Sequence, residues 1–217
     1  MARAPVLCLV TDRRISVTDL VEAVVAAVRA GVDRVQLRER DLGGTALLAL
    51  AREIGARVRD ADRDVCLLVN RRVDVALAAG WDGVHLGFDG MPVSEARALL
   101  PRGARVSVAT HAPGELDALA DAERPDAAHL APIWAPRSKA ATSPPIGVRA
   151  LARAAAAGVA ILAQGGVTPG RVAACLDAGA AGVAVTGGIL GSRDPGAAAA
   201  AFRRALDAHP APGPRGR

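Results

Sequence analysis

The segment VCLLVNRRVDVALAAGWDGVHL, residues 65–86, contains one complete unit of the pattern that decides the fold. An apolar run that ends at Asn70 is followed by a short stretch with helical spacing, a glycine at position 80 and a second apolar run. Short, continuous apolar runs are typical of strands buried on both faces, and glycine commonly ends a helix. The segment therefore predicts a strand, a helix and a second strand.

The same alternation extends along the chain in both directions and gives eight units. The predicted strands are 6–11, 34–38, 65–70, 83–86, 105–111, 127–133, 159–164 and 182–186. The predicted helices are 18–30, 44–61, 72–79, 94–100, 113–122, 147–157, 169–178 and 195–208. Eight such units in a chain of 217 residues predict an α/β fold, a single (β/α)8 TIM barrel over residues 1–209. The Pro/Gly/Arg-rich tail 210–217 is predicted to be disordered.

An open, doubly wound sheet is the alternative fold for alternating strands and helices. Such sheets usually carry a glycine-rich fingerprint at the first turn from strand to helix. In this chain that turn has the sequence TDRRIS, residues 11–16, and contains no glycine. The barrel is therefore favoured.

Composition limits the possible partners. Apolar residues make up 51% of the chain, but no apolar run approaches the roughly 20 residues that a membrane span needs. The first apolar run has no basic segment of any length before it, so we expect no signal peptide, no membrane contact and a cytoplasmic location. The absence of tyrosine leaves few stacking platforms for nucleic acid despite the net charge of +5. A small-molecule phosphate is the expected partner, and the sequence leaves open whether the chain forms a homodimer.

Polar residues and glycines cluster where the predicted strands end, which is where barrels of this kind place their working residues. Gln36, Arg38 and Arg40 alternate along the end of the second strand, so they point to one side. Arginine presents a planar fork of donors to anionic oxygens, and the trio therefore predicts a phosphate or pyrophosphate site. Glycine pairs end the seventh and eighth strands, where this fold commonly binds phosphate: Gly165, Gly166, Gly187 and Gly188.

In their order along the chain, several segments resemble the superfamily of thiamine phosphate synthases and thiazole tautomerases. They are LVTD, VQLRER, VNRRVDVALAAGWDGVHLGFDGMP, the segment around His111, PIWAPRSK, AQGGVTP and GVAVTGGI, and together they cover most of the chain. The resemblance implies that a pyrimidine diphosphate binds at Gln36, Arg38, Arg40 and Asn70. It further implies that a thiazole phosphate binds at the two glycine pairs, with Ser138 and Lys139 in the loop after the sixth strand.

The chain departs from the synthase pattern at the magnesium site that the resemblance implies. That pattern has one aspartate after the strand-three asparagine and another after strand four, and here the two positions are Arg71 and Gly90. An arginine about 4 Å from a divalent ion is repelled by roughly 8 kcal/mol at an effective dielectric constant near 20. Two compensations stay open: Asp89 supplies a carboxylate, or Arg71 itself neutralises the pyrophosphate.

The missing carboxylates decide the predicted reaction. The tautomerases of this superfamily need no magnesium, because they move a proton on a thiazole carboxylate phosphate. We therefore predict an isomerase of the tautomerase type, with His111 as acid and base, no metal site and no cofactor. The first alternative is thiamine phosphate synthase, for which magnesium would be the cofactor. The second is a barrel that binds thiamine intermediates, or regulates, without catalysis.

Overall fold

The computed structural model describes residues 4–61, 64–87, 89–117, 119, 121–135 and 144–209, and it shows a closed barrel of eight parallel strands. Each strand pairs with the next along the chain, and the last pairs with the first. The strands are β1 Val6–Val10, β2 Arg34–Leu37, β3 Cys66–Asn70, β4 Gly83–Leu86, β5 Arg105–Thr110, β6 Ala127–Leu130, β7 Ala160–Gln164 and β8 Gly182–Val185. The predicted (β/α)8 barrel is confirmed, and the tail 210–217 lies outside the described residues.

Helices follow most of the strands and cover the outside of the barrel. They are α1 Leu20–Arg29, α2 Gly44–Arg59, α3 Val73–Ala79, α4 Val93–Leu99, α5 Gly147–Ala155, α6 Val172–Asp177, α7 Gly187–Leu190 and α8 Pro195–Asp207. Two short 3-10 helices are also present, at Asp121–Glu123 and Pro169–Arg171. The sequence did not indicate α7, because its four residues are too short to show helical spacing.

The predicted helix 113–122 is wrong. Its described residues form turns and the start of a 3-10 helix. Two acidic side chains of this region bind backbone instead of standing on a helix surface. The carboxylate of Glu115 accepts the N–H of His111 at 2.9 Å, and that of Glu123 accepts the N–H of Val93 at 2.8 Å. Within the segment, the backbone N–H groups of Glu115 and Asp117 donate to residues three positions earlier, as in turns, and not to residues four positions earlier as in a regular helix.

The apolar core has two parts, because successive strand residues point to opposite faces of the barrel wall. The larger part packs the outward strand residues against the helices. The smaller part lies inside the barrel and consists of Cys8, Val10, Leu162 and Ala184. The equivalent positions of the other strands carry polar side chains, including Gln36, Asn70, His85, Ser107 and His129. The interior near the strand ends is therefore polar. Within the described chain, no helix has the length and hydropathy that a membrane crossing requires.

Candidate active site

A buried carboxylate fixes the direction in which the chain leaves β2. Glu39 accepts hydrogen bonds from the Thr11 hydroxyl at 2.6 Å and from the backbone N–H of Arg13 at 3.0 Å. The Thr11 hydroxyl in turn accepts the backbone N–H of Arg38 at 2.9 Å. Burial raises the pKa of Glu39, and the hydrogen bonds from Thr11 and Arg13 oppose that rise. This network joins the end of β1 to the end of β2 at the segment that carries Arg38 and Arg40.

Gln36 and Asn70 form a side-chain pair across β2 and β3. The Gln36 amide donates to the Asn70 carbonyl oxygen at 3.0 Å. Gln36 is 2% exposed, and its own carbonyl oxygen, Oε1, has no hydrogen-bond partner in the described part of the chain. A buried acceptor without a partner is costly, so a donor on a bound ligand would stabilise it. The pair therefore offers a polar contact just below the arginines.

Three arginines follow the ends of β2 and β3 at the mouth of the barrel: Arg38, Arg40 and Arg71. Burial, followed by the neighbouring charge of Arg40, lowers the pKa of the half-buried Arg38. The pKa of Asp89 is held low first by its hydrogen bond with Arg71 and also, more weakly, by Arg40. Because β2 and β3 are paired in parallel, the arginines that follow their ends lie on one side of the mouth. Such a cluster of cations suits a ligand with more than one negative charge.

Arg71 has an unusual backbone conformation. Its φ angle is 63°, and it is the only non-glycine residue with positive φ in the described chain. Its N–H donates to the carbonyl oxygen of His85 at 2.8 Å, which joins the end of β3 to β4. The guanidinium lies across Gly87 and forms an ion pair with Asp89, and a Cβ atom at Gly87 would overlap it. The side chain thus occupies the edge of the mouth between β3 and β4.

Two histidines lie inside the barrel below the mouth. Their ring centroids are 4.4 Å apart, and His85 Nδ1 is 2.9 Å from the Ser107 hydroxyl. His129 is 1% exposed, and among the described residues neither of its ring nitrogens has a partner with hydrogen-bond geometry, although its ring interacts with the Gln164 side chain. Burial lowers the pKa of His85 well below its ordinary value and that of His129 to about 3. Both rings are therefore neutral near pH 7.

The glycine pair after β7 lies against the segment that follows β6. Gly165 and Gly166 have φ angles of 89° and 62°, which favour glycine. A Cβ atom at Gly165 would lie 2.8 Å from Pro132, and one at Gly166 would lie 2.7 Å from the carbonyl oxygen of Ala135. Only glycine therefore lets the two segments approach this closely. Gly187 and Gly188 begin α7 at the end of the neighbouring strand β8.

The structure brings most of the predicted site residues to one end of the barrel. Gln36, Arg38, Arg40 and Asn70 lie at the ends of β2 and β3, and the glycine pairs lie at the ends of β7 and β8. His111 follows β5, is exposed, and interacts through its backbone with Glu115. The predicted contacts Ser138 and Lys139 lie outside the described residues. Sequence reasoning missed Glu39, although its alternation with the two arginines places it on the opposite, buried side of the chain.

Comparison with known proteins decides the family. A sequence profile described as thiamine monophosphate synthase matches residues 7–189. The chain belongs to the thiamine monophosphate synthase family. It is 43% identical over 192 residues to a putative thiamine-phosphate synthase of Geobacter sulfurreducens, covering 87% of this chain and 88% of that one. It is 44% identical over 184 residues to the thiamine-phosphate synthase of Anaeromyxobacter dehalogenans, covering 84% and 81%.

A solved structure shares the fold of the family. Thiamine phosphate pyrophosphorylase from Pyrococcus furiosus superposes with a TM-score of 0.81 at 24% sequence identity, covering 93% of this chain and 95% of that one. The predicted superfamily is thus confirmed. The prediction of an isomerase is wrong, because the curated relatives that match most of the chain are named synthases, which are transferases. That prediction depended on the missing carboxylates alone and gave too little weight to the arginine cluster.

The magnesium site implied by the family resemblance does not fit the residues present. No group of three or more His, Cys, Asp or Glu side chains suited to a metal ion occurs in the described ranges. At the edge between β3 and β4, the guanidinium of Arg71 lies where the pattern has a carboxylate, and Asp89 is paired with it. A cation at this position would have to displace one positive group to reach one carboxylate. These residues therefore suit an anion better than magnesium.

Proposed function

We propose that the chain is a thiamine-phosphate synthase, a transferase that joins hydroxymethylpyrimidine diphosphate to a thiazole phosphate. The names of its relatives support this activity, and so does the arginine cluster at the mouth. The observation that carries the proposal is that Arg38 and Arg40 follow the end of β2 and Arg71 follows the end of the paired strand β3, where the Gln36 and Asn70 side chains are hydrogen-bonded. An isomerase with one phosphate substrate has no use for this site in addition to the glycine pairs.

In the proposed reaction, the carbon–oxygen bond between the pyrimidine methylene group and the diphosphate breaks. The bonding electrons remain on the pyrophosphate oxygen, and the thiazole nitrogen supplies the electron pair for the new carbon–nitrogen bond. The guanidinium groups of Arg38 and Arg40 stabilise the negative charge that develops on the leaving group. Gln36 and Asn70 hold the pyrimidine end of this substrate in the polar barrel interior.

The second substrate is placed at the opposite side of the mouth. We assign the thiazole phosphate to Gly165, Gly166, Gly187 and Gly188, with Ser138 and Lys139 contributing from the loop after β6. The positions of the glycine pairs at β7 and β8 support this assignment, since barrels commonly bind phosphate there. The acid and base role of His111 was tied to the isomerase prediction and is not part of this mechanism. A cytoplasmic enzyme whose partners are small-molecule phosphates is consistent with the composition.

A two-substrate assay tests the proposed function. The purified chain is incubated with both substrates, with and without magnesium, and thiamine phosphate and pyrophosphate are measured separately. We expect the two products in equal amounts. Absence of both products, together with binding of thiazole phosphate, would instead support the non-catalytic alternative. Matched Arg38→Gln and Arg29→Gln variants separate a site effect from a general loss of surface charge, because Arg29 lies in the last turn of α1, which leads into the start of β2 at the opposite end of the barrel from the mouth.

A further inference from the structure

The arginine side chains near the edge between β3 and β4 favour the binding of an anion. Arg71 and Arg40 both act on Asp89, and Arg38 and Arg71 both act on His85. The ion pair between Arg71 and Asp89 therefore lies within reach of the positive charge of Arg40. The Asp89 side chain is 75% exposed, so solvent weakens its hold on Arg71. A ligand with several anionic oxygens can compete for that guanidinium.

The backbone at Arg71 supplies an independent observation. Its positive φ is held by the hydrogen bond to the His85 carbonyl oxygen, and the N–H of Arg72 donates to the carbonyl oxygen of Asn70 at 2.9 Å. Asp and Asn tolerate this conformation better than arginine, whose long side chain gains nothing from it locally. Residues held in such conformations cluster at functional sites. The arginine thus occupies a backbone position that a small polar residue would fill at lower cost.

The space beside Arg71 also fits a functional guanidinium. Gly87 leaves room for the planar group to lie across the backbone, where any side chain would displace it. The guanidinium of Arg71 is thus held beside Gly87, and the guanidinium of Arg72, which has a similar exposure, has different partners. Arg72 instead forms two hydrogen bonds with Asp74 at the start of α3, and its guanidinium lies beside Gly44 at the start of α2. The two adjacent arginines therefore make a matched pair for mutation.

We propose that Arg71 binds the diphosphate group directly and takes the place of the magnesium ion, while Asp89 holds the guanidinium before the substrate arrives. This inference rests on the proposed function. When the carbon–oxygen bond breaks, the charge left on pyrophosphate is balanced by Arg38, Arg40 and Arg71. Pyrophosphate leaves as an anion whose oxygens accept hydrogen bonds from the guanidinium N–H groups.

Pyrophosphate binding, measured by calorimetry in EDTA and again in magnesium, tests the inference without relying on turnover. We expect the unmodified chain to bind pyrophosphate in EDTA, with little gain from magnesium. Arg71→Gln should weaken this binding by about 10- to 100-fold, the loss expected for a charge-assisted contact. Arg72→Gln should leave the affinity unchanged. Asp89→Asn should tighten it, because the competing carboxylate is gone.

A fourth variant tests whether a carboxylate at position 71 makes pyrophosphate binding depend on magnesium. Arg71→Asp places a second carboxylate beside Asp89 on a backbone that tolerates aspartate, so its binding of pyrophosphate should require magnesium. Circular dichroism melting curves establish that each variant is folded. The inference is overturned if the unmodified chain binds pyrophosphate only with magnesium, or if Arg71→Gln binds it as tightly as the unmodified chain.

The same variants separate this inference from the proposed function. Thiamine phosphate formation is measured in EDTA and in magnesium beside each binding experiment. If no thiamine phosphate forms in either condition while pyrophosphate binding still depends on Arg71, the synthase proposal fails and the binding role stands. If thiamine phosphate forms only with magnesium and Arg71→Gln retains pyrophosphate affinity, the synthase proposal stands and the role of Arg71 is refuted.

Discussion

The buried histidine pair makes the stability of the barrel depend on pH. Burial holds the pKa of His129 at about 3, against 6.5 in the unfolded chain, and lowers that of His85 in the same direction. Below pH 6.5 the unfolded chain therefore binds protons that the folded chain does not, and the stability present above that pH is lost as the pH falls. For His129 alone, the free energy of unfolding should fall by about 2 kcal/mol between pH 7 and pH 5.

Urea unfolding across this pH range, followed by circular dichroism, measures the effect. His129→Leu removes one titrating ring whose nitrogens lack partners with hydrogen-bond geometry, so the slope with pH should decrease by about 1 kcal/mol per pH unit. Ser107→Ala is the control, because it removes the hydroxyl beside His85 but no titrating group, and it should keep the slope of the unmodified chain. An unchanged slope in His129→Leu would refute the view that this ring is neutral and inaccessible in the folded state.

Three further predictions concern the mouth of the barrel. Arg38→Gln and Arg40→Gln should each weaken the binding of pyrimidine diphosphate by about 10- to 100-fold, with thiazole phosphate binding unchanged, as measured by calorimetry. Glu39→Gln should lower the free energy of unfolding by about 1–3 kcal/mol in urea, since the buried charge-assisted hydrogen bonds are weakened. Gly166→Ala should cost about 1–3 kcal/mol because of its positive φ and close neighbours, whereas Gly170→Ala, which meets no atom within 4 Å, should cost little in the same urea experiment.

The sequence predicted the barrel well because the strand signal is local. Each strand is a short apolar run, and glycines such as Gly80, which has a left-handed conformation after α3, mark the ends of helices. The eight predicted strands agree with the observed ones to within a few residues. The helix predicted at 113–122 was wrong, and a contact with a distant part of the chain lies directly after this segment. Glu123 binds the backbone at the start of α4, and a contact over about 30 residues leaves no local signal.

The sequence predicted individual residues of the candidate site but not the contacts between them. Alternation along β2 predicted that Gln36, Arg38 and Arg40 share one side, and the structure places the first two near the end of that strand. The hydrogen bond from Gln36 to Asn70 depends on the register between β2 and β3, and the sequence does not encode this register locally. The pairing of His85 with His129 likewise depends on how the barrel closes.

The wrong prediction of an isomerase shows where a missing motif misleads. The missing carboxylates predict a missing magnesium site, and an isomerase follows only if a metal ion is the one means of neutralising pyrophosphate. Yet pyrophosphate needs positive charge near its oxygens, and a guanidinium supplies that charge as a metal ion does, with directed hydrogen bonds in addition. If Arg71 meets this need, the loss of the aspartates and the gain of the arginine are one coupled change. A chain that lacked only the aspartates would carry a neutral residue at position 71, and its pyrophosphate affinity would then rest on Arg38 and Arg40 alone.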